Sequence, residues 1–124
     1  ALKELMEEAD KAGVKIHSGS DAQKYLDWSA KAQGIDPKKL HASTMGKDIF
    51  VRSEYAKNVR VLREELIHVT QQKVGMEITQ KSLMKMEIQA RKLMMKNRFK
   101  WGITNNEIRE MIKEIRLMIK RGKY

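Results

Sequence analysis

The stretch Glu64-Glu65-Leu66-Ile67-His68-Val69-Thr70-Gln71-Gln72 places two carboxylates, an imidazole and two amides within nine residues. Its E-E-x-x-H spacing differs from the zinc-peptidase pattern HExxH at the first position. There, two histidines one helical turn apart bind the metal and the intervening glutamate acts as base. With Glu64 in place of the first histidine, the stretch can serve an acid/base reaction or a metal site poorer in imidazole. An angle of about 100° per residue collects Tyr55, Val59, Leu62, Leu66 and Val69 on one side of a helix. Glu64, Glu65, His68, Gln71 and Gln72 fall on the other, where a solvated polar face would explain them equally well.

Glu87 shifts that balance. Leu83, Ala90 and Met94 flank it at i−4, i+3 and i+7, so the carboxylate is embedded in an apolar face. Burying a bare carboxylate costs several kcal/mol, so it must find a partner or keep its proton. Arg91 at i+4 can supply an intrahelical ion pair. Alternatively, the helix covers the polar side of its predecessor and Glu87 meets His68 with Glu64 or Glu65. A Glu64/His68/Glu87 set could then hold a divalent ion, and carboxylates that displace one another's pKa suit acid/base work. His17 and His41 stand alone and read as structural or surface residues rather than catalytic ones.

The elements that must position these residues follow from periodicity. Leu2, Leu5, Met6 and Ala9 open the chain with an amphipathic helix ended by Gly13. Val14-Lys15-Ile16 is a short strand. A second helix begins at Ser20 or Asp21, carries Tyr25, Leu26, Ala30 and Trp28, and closes at Gly34 and Pro37. Met45-Gly46-Lys47 before Ile49-Phe50-Val51 predicts a small hairpin within 40–52. Three helices then span 54–74, 80–98 (capped by Thr79) and 105–121. The last opens with a capping box, Thr104-Asn105-Asn106-Glu107, and carries the apolar stripe Ile108, Met111, Ile112, Ile115 and Ile119. The fold class is α+β, mostly helical, with a small N-terminal strand and hairpin part followed by three packed helices. All of 1–124 is read as one domain.

The chain has 124 residues, a net charge of +10 and no cysteine, which excludes disulfides and thiolate chemistry. Residues 1–50 hold eight lysines against eight acids, whereas 51–124 hold eighteen basic residues against eight glutamates. Such asymmetry suits a polyanion, nucleic acid foremost. No apolar run is long enough to span a bilayer, so a membrane partner is not expected. The nine methionines read as fillers of irregular cores rather than metal ligands.

VLREELIHVTQQKVG, EIQARKLMMKNRFKWGITNNEIREMI, the upstream GVKIHSGSDAQKYLD and the strand DIFVR together resemble the C-terminal toxin domains of bacterial polymorphic and contact-dependent growth inhibition toxins. Within these they resemble the zincin-like metallopeptidase toxin group. The resemblance covers nearly the whole chain and departs from a full zincin helix at Glu64. It implies the C-terminal piece of a larger secreted protein, in keeping with a start at Ala1, that acts in the cytoplasm of a target cell. It also implies a cognate immunity protein, and a functional set of Glu64, Glu65, His68, Gln71 and Glu87.

The expected function is a nuclease toxin acting on RNA or tRNA through a Glu/His acid–base site, with Arg63, Arg91 and Arg98 holding phosphate. Phe99 and Trp101, interleaved with Arg98 and Lys100, can stack on bases or pack a helix end. The alternatives are a reduced zincin-like metallopeptidase with Glu64, His68 and Glu87 as ligands, and a non-catalytic basic binding module.

Overall fold

A computed structural model describes residues 1–75 and 80–122, with the side chains of 80 and 81 excepted. Among them are six α-helices and a three-stranded sheet: α1 (Leu2–Lys11), β1 (Lys15–His17), α2 (Ser20–Gln33), β2 (Ala42–Met45), β3 (Asp48–Val51), α3 (Val59–Lys73), α4 (Gln80–Lys96), α5 (Arg98–Trp101) and α6 (Asn105–Arg121). The mostly helical α+β class expected from the sequence is the class observed.

The sheet runs β1-β3-β2. The β2–β3 pair is the predicted hairpin, antiparallel from Ala42↔Val51 to Met45↔Asp48. Its two-residue loop needs a positive φ, which Gly46 supplies at 61°. β1 pairs parallel with β3, Ile16 against Ile49, which no local pattern announced. Side chains alternate across β3. Ile49 and Val51 are fully buried with residues of α1 and α3. Phe50 faces the other way, packs at a tilt on Tyr25 of α2 and stacks on His17. The sheet is therefore held between α2 and the α1/α3 layer.

α3 is the central element, because it packs on both sides. Val61, Leu62 and Val69 join the sheet-side core, while Ile67 joins Ala90, Met94, Ile103 and Met111 in a helical core. Leu62 is fully buried, so Leu62→Ala should cost about 3 kcal/mol, read as a shifted denaturant midpoint at unchanged slope.

Two boundaries differ from the expectation by more than a residue. Residues 53–55 form a 3₁₀ turn, and α3 starts only at Val59, because the Asn58 side chain accepts the Val61 N–H and caps the helix there. The 80–98 helix stops at Lys96, and a separate turn of helix, α5, follows Asn97. The proposed Thr79 cap lies outside the described residues. α6 has the predicted limits and the predicted capping box. Its apolar stripe, however, is seated off-centre. Met111 and Met118 are buried, whereas Ile112 and Ile119 are exposed. Trp28 on α2 is exposed too.

Candidate functional site

The polar side of α3 is not solvated. Glu64, Glu65, His68 and Gln71 are each less than 10% exposed, as is Glu87 at 6%. It also divides in two. Glu65 and Gln72 face the hairpin, where the Thr44 hydroxyl donates to Glu65 Oε1 at 2.9 Å. Gln72 Nε2 donates to Thr44 O, and its Oε1 accepts the Gly46 N–H, which pins the hairpin to α3. Glu64, His68 and Gln71 face α4.

There the meeting of Glu87 and His68 is realised. His68 Nε2 lies 3.1 Å from Glu87 Oε1 and 4.0 Å from Glu64 Oε1. His68 Nδ1 is bound to Gln71 Oε1 at 2.7 Å. Gln71 is itself fixed, since its Nε2 donates to Met86 O and to Gln89 Oε1. The intrahelical pair is realised as well. Arg91 Nη1 reaches Glu87 Oε2 at 2.6 Å and Glu64 Oε1 at 3.3 Å. The two sequence-level alternatives for Glu87 therefore coexist on its two oxygens.

Glu114, Arg60, Gln89 and Thr44 escaped the sequence reading. Glu114 of α6 receives Arg91 at 3.4 Å and Arg60 of α3 at 2.7 Å, which ties α6 to the back of the site. Thr44 comes from the hairpin. Glu114 lies three residues beyond Met111, at the margin of the apolar stripe, and that position was the one available signal.

The expected phosphate-binding arginines separate. Arg91 is inside the cluster. Arg63 is buried instead against Glu8 of α1 at 2.5 Å, with its guanidinium 4.5 Å from the centre of the Trp101 ring. Arg98 donates to Met95 O and lies over Phe99. Phe99 is 87% exposed, while Trp101 packs against the helical core. His17 pairs with Asp48, and His41 stacks on Tyr55.

Burial, then the neighbouring Glu87 carboxylate, pushes the Glu64 carboxyl up to about 8 against the pull of Arg91. Burial likewise raises Glu65, to about 7, opposed first by the His68 charge. His68 goes up to about 10, because its hydrogen bond to Glu87 and the nearby carboxylates overcome a burial that disfavours its charge. Glu87 is drawn down to about 2. Burial opposes this, but the His68 hydrogen bond and charge, a hydrogen bond from Glu64 and the Arg91 charge prevail. At neutral pH the cluster thus holds an imidazolium and a guanidinium against ionised Glu87, with Glu64 keeping its proton and Glu65 near its midpoint.

The donor atoms of Glu64, His68 and Glu87 lie within 4.8 Å of one another, a spacing that suits a metal ion. The charges do not. A metal needs a neutral imidazole with a free nitrogen, whereas both His68 nitrogens are engaged, by Glu87 and by Gln71. Arg91 already occupies the cation's position between Glu64 and Glu87. In this arrangement the residues do not fit a divalent ion.

The displaced pKa values make stability pH-dependent. Glu64 is raised above its ordinary 4.5, so its contribution is complete below pH 4.5 and is lost as pH rises through about 8. That of His68 is complete below 6.5 and lost through about 10. That of Glu87, lowered, is present above 4.5 and lost as pH falls through about 2. From pH 6 to 9 the melting temperature should therefore fall. Glu64→Gln should shallow the fall below pH 8, to which Glu65 and His68 also contribute, and leave the part toward pH 10. Parallel curves for the two proteins would show that Glu64 is ionised throughout.

No protein-family model matches this chain, and no curated protein or solved structure matches it significantly.

Proposed function

We propose that the chain is an antibacterial toxin domain that cleaves RNA, by transesterification at phosphorus, with the cluster between α3 and α4. The observation that carries this reading is the two-sided nature of α4. Its inner face presents Glu87 and Arg91 to Glu64 and His68, while its outer face carries the exposed lysines Lys85, Lys92 and Lys96. Acid/base groups and a polyanion-binding surface thus share one helix. The resemblance of EELIHVTQQ and EIQARKLMMKNRFKWGITNNEIREMI to polymorphic toxin domains supports a secreted parent protein, action in the target cytoplasm and a neutralising immunity protein.

In the cleavage step, Glu65 takes the proton of the ribose 2′-hydroxyl as its oxygen bonds to phosphorus. The bond from phosphorus to the 5′-oxygen breaks, and Glu64 gives that oxygen its proton. Both carboxyls are displaced toward neutral pH, where proton transfer is most effective. His68 has both ring nitrogens engaged, so its part is positive charge beside the phosphate rather than proton delivery, together with Arg91. Glu87 keeps both cations in place.

The donor spacing of Glu64, His68 and Glu87 supports a second reading, a reduced zincin-like metallopeptidase, which requires Arg91 to leave. Total bacterial RNA incubated with the domain, with and without EDTA, separates the two. Discrete fragments in both lanes, lost with His68→Ala, support the nuclease. Intact RNA together with stoichiometric metal in a chelator-free preparation supports the peptidase and overturns the nuclease.

A further inference from the structure

The outer face of α4 forms a surface groove of about 430 Å³ that has no part in the acid/base cluster. Its walls are Lys85, Gln89, Lys92 and Lys96, and its apolar lining is Ile88 and Leu93. The three lysines are exposed and make no ion pair among the described residues. Glu87, the one acid between residues 80 and 106, points inward to His68 and Arg91, so among the described residues of α4 no acid on this face offsets the lysine charge.

We propose that this groove binds the backbone of a single-stranded RNA, with Lys85, Lys92 and Lys96 on phosphates along one strand, Lys92 and Lys96 on neighbours and Lys85 on one further along, and with the bases against Ile88 and Leu93. At about 1.5 Å of rise per residue, Lys92 and Lys96 are about 6 Å apart along the axis and Lys85 lies about 10.5 Å before Lys92. A single strand carries its charges at a similar interval, and flexible lysine stems adjust to it. A base has an apolar face that Ile88 and Leu93 can cover, whereas an acidic side chain has none to offer. An inserting amphipathic helix needs a broad apolar face, whereas this one offers only Ile88 and Leu93 among its lysines.

Gln89 adds a connection to the cluster. It borders the groove and accepts from Gln71 at 2.6 Å, and Gln71 accepts from His68 at 2.7 Å. A strand in the groove therefore lies two hydrogen bonds from the His68 ring. The choice of RNA rests on the proposed function, and the site itself rests on the groove.

The test is fluorescence anisotropy with a labelled 2′-O-methyl RNA of twelve nucleotides, which binds but lacks the hydroxyl needed for cleavage. The variant Lys85→Glu/Lys92→Glu/Lys96→Glu is compared with Lys3→Glu/Lys11→Glu/Lys31→Glu, an equal charge change on α1 and α2. The groove variant should bind at least about 30-fold more weakly, with the slope against log salt reduced by about 2, and the control should change by less than about 3-fold. Circular dichroism on each variant confirms that the fold is kept. Equal losses in the two variants, no binding by the unaltered chain, or stronger competition from polyglutamate or anionic vesicles than from RNA would overturn the proposal. Binding through the groove with total RNA left intact would preserve this site and sink the nuclease reading.

Discussion

Arg91→Met should cost the fold about 4 kcal/mol, seen as a fall in melting temperature of about 15 °C near pH 7. The arginine is 4% exposed and touches three carboxylates, those of Glu64, Glu87 and Glu114. Methionine fills much of the same volume but leaves Glu87 with His68 as its only cation and draws more protons onto Glu64. The cost is the penalty of uncompensated buried charge rather than the worth of a single pair. Glu114→Gln is the internal comparison. Its carboxylate is 38% exposed and already shared with Arg60, so water replaces much of what is lost and the change should stay near 1 kcal/mol. If the two variants melt within about 3 °C of each other, Arg91 is not the charge that holds the cluster. Shortening Arg91 to Ala also vacates the cation position. That variant, and not the unaltered chain, should then be stabilised by added zinc.

On the proposed nuclease mechanism, Glu65→Gln should lower RNA cleavage about 1,000-fold while moving the melting temperature by less than about 3 °C. The amide keeps an acceptor for the Thr44 hydroxyl, which binds Glu65 Oε1, but it cannot take a proton. In the unaltered chain the rate should follow a bell-shaped curve with a maximum between pH 7 and 8. The rising limb, near 7, is Glu65 losing its proton. The falling limb, near 8, is Glu64 losing its own. The two carboxyls share one cluster, so these limbs belong to the pair rather than to either residue alone. Glu64→Gln should abolish the falling limb along with most of the rate. Unimpaired cleavage or killing by Glu65→Gln would point to the non-catalytic binding module instead.

Much of the local structure was legible because short-range rules decide it. The α6 limits followed from Thr104 and Glu107, whose side chains satisfy free backbone groups within four residues of chain. The hairpin followed from Gly46, the residue its turn requires. Glu87 was legible as an anomaly, since a carboxylate on an apolar face demands a partner. The start of α3 was misplaced because Asn58, an ordinary surface residue type, caps it. Arg63 was grouped with Arg91 on helical phase alone, yet Glu8 of α1 and Trp101 of α5 claim it.

The sequence by itself determined the element types, the α+β class, the basic second half and the residues able to exchange protons. These depend on periodicity, capping and composition, all of which are local or additive. Tertiary structure alone decided that α3 is buried on both its apolar and polar sides, that Glu65 turns to Thr44 while Glu64 and His68 turn to α4, and that Glu114 reaches Arg91 and Arg60. Each of those depends on which distant surfaces meet and exclude water. Exclusion of water is also what moves Glu64 and Glu65 toward neutral pH and turns a polar helix face into a set of groups able to do chemistry.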